Sequence, residues 1–294
     1  MPQVGTGKYT YELLPDFPKL PAGQSFGVVS RVATDSRDRL YVFQRKDPPV
    51  LVFERDGKYV NAWGSGAVRD PHGIRIVDDV VYTTDRKDHV AMTFTLEGKP
   101  LQTIGKRGVH SDTGCVKSPY IVITAAGPFN EPTDMMPGPS GDLFVTDGYC
   151  NSRVHRFSRD GRLLKSWGQP GKTEPGQFHL PHSLVVAPDG TIYVCDRTNR
   201  RVQIFSEDGE FIGMWTGMGG PNDIARDKDN VFYICEQEAD GAPAYICVRD
   251  DAGKVLAKWE TRHAHGLTVD AHGDIYVGLT TSHNVDKYVR RTRE

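Results

Sequence analysis

Three of the ten histidines stand at one register. A short apolar phrase with an aromatic in second place recurs along the chain; His182 and His265 lie eleven residues before that aromatic, and His72 lies ten before it. In the intervening copies the same position holds Ser30, Thr133 and Asn222. A neutral imidazole is a nitrogen ligand, and three of them with a fourth position open form the donor set of a catalytic zinc site. One such histidine alone reads as a hydrogen-bonded core residue. Three at matched register on every second copy point to a shared ion, zinc or another divalent metal. His179 and His263 flank two of them and read as pocket wall or as partners of the ligands. His89, His110, His155, His272 and His283 fall in loops or outer strands and read as surface residues.

The segments following the recurring phrase differ from copy to copy. One carries Gln44-Arg45, another Gly148-Tyr149-Cys150-Asn151-Ser152-Arg153, a third Arg197. A phenol near a divalent ion loses its proton below the usual pKa of about 10 and can serve as a base. Guanidinium groups suit a carboxylate because they pair with it through two parallel hydrogen bonds. On spacing alone each of these residues is equally a surface ion-pair partner. Asp85, Asp147 and Asp196 recur in most copies and read as turn and loop caps.

The elements that must hold these residues are strands. The phrase reads LYVFQ, VYTTD, LFVTD, IYVCD, FYICE and IYVGL, with its aromatic at 41, 82, 144, 193, 233 and 276. Polar turns precede each copy, a second alternating strand follows, and a third commonly ends on Trp63, Trp167, Trp215 or Trp259. Alternation punctuated by tight glycine turns predicts hairpins throughout. Four strands per roughly 40–45 residues make a propeller blade. The expectation is therefore an all-β, six-bladed β-propeller spanning 1–294 as a single domain, with an insertion loop at about 106–130. The N-terminal YTYELL, Tyr9 to Leu14, is a strand without a blade; it is predicted to become the outer strand of blade six and close the ring. Inner strands would line a channel, so histidines on alternate blades, about 120° apart, would converge.

Composition narrows the class. The chain has 294 residues and 36 Lys+Arg against 38 Asp+Glu, a net charge of −2. No basic surface for nucleic acid is expected, and no apolar run approaches the ~20 residues that span a bilayer. The first residues, MPQVGTGKYTYELL, carry no apolar leader. Five cysteines at irregular spacing read as reduced thiols, and the placement expected is cytoplasmic.

The stretch EPTDMMPGPSGDLFVTDGYCNSRVHRFSRDGRLLKSWG and the following PGQFHLPHSLVVAPDGTIYVCDRTNRRVQIF closely resemble peptidyl-α-hydroxyglycine α-amidating lyase, a six-bladed propeller of NHL type. Weaker likeness lies in FQR, DPHGI and AHGLTVDAHGDIYVG. The resemblance implies zinc on His72, His182 and His265, Tyr149 as base, and Arg45 and Arg197 in the active site. The implied reaction is cleavage of a carbinolamide to an amide and glyoxylate, on a small-molecule, carboxylate-bearing substrate. Three positions depart from the family. His263 stands for a methionine. Gly266 stands for an acid that helps bind a structural calcium, so no calcium is expected. Disulfide partners for the GYC and blade-four cysteines are missing, with Phe129, Asn130 and Tyr193 nearby. His263 is the alternative base. Two other readings remain open at this level: a metal-dependent hydrolase or lactonase, and a non-catalytic NHL interaction module.

Overall fold

The computed structural model describes residues 2–237 and 243–291, and every regular element among them is a strand. The fold is the expected six-bladed β-propeller, with six antiparallel sheets as blades. Blades two, three and four lie in one compact unit, residues 68–221; blades one, five and six make up most of a second, residues 1–67 with 222–294.

In the unit of residues 68–221, blade three shows how the sequence builds a blade. Its strands are Pro132–Pro137, Leu143–Asp147, Arg153–Phe157 and Leu163–Trp167. The second strand is buried on both faces, which is why LFVTD is nearly continuously apolar. Successive side chains point opposite ways. Leu143 and Val145 pack with Ala91 and Ile104 of blade two, whereas Phe144 packs with Leu184, Val186 and Val194 of blade four. The outer strand is wet along most of its length, yet it ends on the buried Trp167. The glycine turn of blade four closes over that indole. A Cβ on Gly209, whose φ is +73°, would stand 2.7 Å from the Trp167 ring, so both space and backbone demand glycine.

In the other unit, Tyr9–Leu14 forms the strand predicted for it and pairs antiparallel with Asn284–Arg290, Leu13 opposite Tyr288. A further strand, Gln3–Thr6, extends this sheet, which the sequence reading did not foresee. Tyr9 and Tyr11 are buried, the Tyr11 ring 5.2 Å from that of Trp259.

Three expectations fail. Cys115 and Cys150 form a disulfide, because the insertion loop folds back to bring their Cα atoms within 5.3 Å across 35 residues. That removes cysteine usage as a ground for a cytosolic placement; Cys195, Cys235 and Cys247 are buried thiols. His155 is fully buried, bonded to Ser166 Oγ at 2.7 Å and to Asp147 at 3.3 Å. His89 is buried too, its Nδ1 accepting the Glu131 amide hydrogen, and burial lowers its pKa. Both follow from the insertion loop and the start of blade three packing over them: Phe129 lies against His155, and Glu131 against His89. His110, His272 and His283 are exposed as expected.

Candidate metal centre and base

His72 and His182 sit second in the inner strands Pro71–Val77 and Pro181–Val186, in the same unit as Tyr149. The caps hold the chain where it enters these strands. Asp85 accepts the amide hydrogens of Arg69 and Asp70, Asp196 that of His179, and Asp147 that of Asn130. Leu180, ahead of Pro181, and Glu131, ahead of Pro132, are forced to φ of 66° and 64°, a conformation costing a non-glycine residue on the order of 1 kcal/mol.

The His72 Nδ1–H donates to the Thr133 carbonyl at 2.6 Å, which leaves Nε2 as the lone-pair nitrogen. That Nε2 lies 3.2 Å from the Tyr149 hydroxyl, and the His182 Nε2 lies 3.3 Å from the same oxygen. The two imidazole rings are 4.8 Å apart and nearly perpendicular. All three side chains are buried. Two imidazole nitrogens and a phenol oxygen thus converge on one point. Gly73 follows His72 because a Cβ there would stand 2.6 Å from the Thr133 carbonyl oxygen.

The DGYCNSR segment is pinned from several sides. Asn151 donates to Asp147 at 2.9 Å and bonds both polar groups of the Ala126 backbone, and Thr113 Oγ donates to the Cys150 carbonyl at 2.6 Å. The insertion loop, tethered by the disulfide, sets the Tyr120 ring 5.0 Å from that of Tyr149. The Tyr120 carbonyl accepts a hydrogen bond from His179 Nε2 at 3.3 Å. Arg197 is half-buried at the end of blade four's second strand, and its guanidinium has no side-chain partner among the described residues.

His265, Arg45 and His263 belong to the other unit. His265 is buried and repeats the His72 arrangement, its Nδ1–H donating to the Ser30 carbonyl at 2.6 Å. His263 is half-buried with Nδ1 2.8 Å from Thr281 Oγ. Arg45 is half-buried, its amide donating to the Val28 carbonyl. A Cβ on Gly266 would meet Arg31 Cα at 2.9 Å and Cγ at 2.7 Å. Arg31 is itself buried and paired with Asp223 at 2.5 Å, so a cation already stands where an acid at 266 would need room.

Sequence reasoning passed over Arg86, whose guanidinium lies over the Tyr149 ring, 4.9 Å from its centre. The available signal was register: Arg86 follows Asp85 as Arg45 follows Gln44 and Arg197 follows Asp196. Tyr120 and the partner of Cys150 carried no such signal, being in a loop without a repeat.

The NHL repeat family model matches residues 178–205, the blade-four segment with His182. Human NHL repeat-containing protein 3 is 31% identical over 79% of this chain and 68% of its own length. A Caenorhabditis elegans protein described as a probable peptidyl-alpha-hydroxyglycine alpha-amidating lyase is 30% identical over 78% of this chain, which spans 66% of it. The fold recurs in a streptogramin B lyase structure, with a TM-score of 0.67 at 12% identity, covering 96% of this chain and 98% of that one. It recurs equally in a gluconolactonase of Xanthomonas campestris, with a TM-score of 0.67 at 15% identity over 99% and 95%. At these identities the two solved structures share the propeller fold. The chain belongs to the NHL repeat family of human NHL repeat-containing protein 3, and its relatives include amidating lyases.

Proposed function

We propose that the chain is a metal-dependent lyase of the amidating-lyase type, cleaving a carbinolamide or related small hydroxylated substrate. The observation that carries this reading is the Tyr149 hydroxyl within hydrogen-bond reach of the Nε2 atoms of both His72 and His182, all three side chains being buried. His72, His182 and, on register and its matching Nδ1 bond, His265 would hold the ion, zinc by donor type. The chemistry fits: Nδ1–H bonds to carbonyls on His72 and His265 leave Nε2 lone pairs, the tautomer a ligand needs. A divalent ion there would act as a Lewis acid on the substrate's carbinol oxygen, making its proton easier to remove. Tyr149, its own hydroxyl proton first lost to solvent, would take that proton and return it to the leaving amide nitrogen as the C–N bond breaks and the carbonyl forms. Arg45 and Arg197 orient the carboxylate. Calcium is no part of the proposal, because Arg31 fills the space at Gly266 and calcium needs six to eight oxygen ligands.

The first test is elemental analysis of protein purified without added metal, before any substrate is sought. About one divalent ion per chain is expected, falling well below one in His72→Ala, His182→Ala and His265→Ala, since two ligands hold zinc weakly. Full retention in all three variants refutes the shared site. A chain with no ion at all favours the interaction-module reading.

A further inference from the structure

The place one residue beyond the second strand is an arginine in blades one, two and four and a glycine in blade three. Arg45, Arg86 and Arg197 each donate their amide hydrogen to the carbonyl of the residue two before Ser30, His72 and His182, namely Val28, Asp70 and Leu180. The three arginines are therefore structural equivalents. In blade three the place is Gly148, where a Cβ would stand 2.0 Å from the Pro181 carbonyl oxygen, so no side chain fits.

Arg86 alone of these is seen to stand against Tyr149. Its Nε donates to Asp70 Oδ2 at 2.8 Å, and only 15% of its side chain is exposed. That bond uses one of the five N–H donors of a guanidinium. The four on its two Nη atoms meet no acceptor among the described residues, although neither atom is sealed from solvent. Nearly buried donors left unused are costly unless something else accepts them. Asp70 fixes the plane of the fork, and the free edge of the fork has the geometry that pairs with a carboxylate through two parallel bonds.

We infer that Arg86 is a further carboxylate anchor of this site, in addition to Arg45 and Arg197: its Nη edge binds the carboxylate of an N-acyl-α-hydroxyglycine-type substrate, placing the adjacent carbinol carbon at Tyr149. The inference deepens the lyase reading and rests on it for the substrate, but carboxylate binding itself does not require turnover.

Two variants test it. Arg86→Lys keeps the charge beside Asp70 and removes the fork. The double variant Asp70→Asn/Arg86→Met removes both charges together, so that no lone buried carboxylate is left to unfold the blade. Initial rates are measured on benzoyl-α-hydroxyglycine and on its uncharged carboxamide analogue. Binding of glyoxylate to the metal-loaded protein is measured by calorimetry. The expected result is KM raised about tenfold by Arg86→Lys and on the order of a hundredfold by the double variant, with kcat within a few-fold and the carboxamide little affected. The Kd for glyoxylate rises in parallel. Turnover by wild type with KM and Kd unchanged in both variants overturns the anchor and leaves the lyase standing. Glyoxylate binding that weakens in the variants, with no substrate turned over by wild type, keeps the anchor and removes the lyase. A wild type that binds no glyoxylate overturns the anchor whatever the rates.

Discussion

A phenolic hydroxyl has one proton, and the Tyr149 oxygen faces two imidazole nitrogens at 3.2 and 3.3 Å. It can donate to only one of them at a time. The Tyr149 ring itself meets Tyr120 and Arg86. Tyr149→Phe keeps those ring contacts, so melting temperature and metal content should match wild type. Its kcat on a turned-over carbinolamide should fall on the order of 10²–10⁴-fold, the usual loss on removing a positioned base. A metal-dependent hydrolase, which activates water, would lose much less. Near-wild-type kcat in Tyr149→Phe would move the base elsewhere, His263 being the sequence alternative.

At the scale of the element, the insertion loop ties otherwise separate features of the site together. Val116 and Ile121 bridge into a small hairpin, Cys115 anchors its base to Cys150, and Tyr120 near its tip meets Tyr149. The tether closes a loop of 35 residues in sequence, and bridges over loops of that size contribute roughly 3–4 kcal/mol through the unfolded state. Thiol titration of the denatured, unreduced protein should therefore find three reactive groups, those of Cys195, Cys235 and Cys247. Five would show that the bond is absent. Cys115→Ser should lower the melting temperature and raise KM more than it lowers kcat, because Tyr120 loses its fixed place while Tyr149 keeps Asn151 and Thr113 as local supports. Loss of kcat alone would argue that the loop acts on the base itself.

At the scale of the whole molecule, the chain's beginning completes its last blade. Without Tyr9–Leu14 the strand Asn284–Arg290 becomes a bare edge, and such edges recruit other chains. Deleting residues 1–14 also removes two buried tyrosines, each worth about 2–3 kcal/mol of burial. For a chain of this length that corresponds to a melting temperature lower by about 10 °C, with concentration-dependent aggregation on heating. Supplying the YTYELL peptide in excess should recover part of the loss. Unchanged melting after deletion would show that the strand is dispensable.

The sequence determined the strands, because the alternation of apolar residues and the glycine turns are local and repeat six times. It also determined which residues share a register, since repetition compares each blade with the others: His72, His182 and His265 stood out against Ser30, Thr133 and Asn222, and Arg86 was equally legible beside Arg45 and Arg197. Tertiary structure alone decided what lies outside the repeat. The Cys115–Cys150 bond, Tyr120 over Tyr149, and the burial of His89 and His155 all depend on where a non-repeating loop folds back, which no period encodes. The Arg86–Tyr149 contact likewise arises only in the tertiary fold, because a blade-two loop and a blade-three loop meet only once their inner strands are packed side by side.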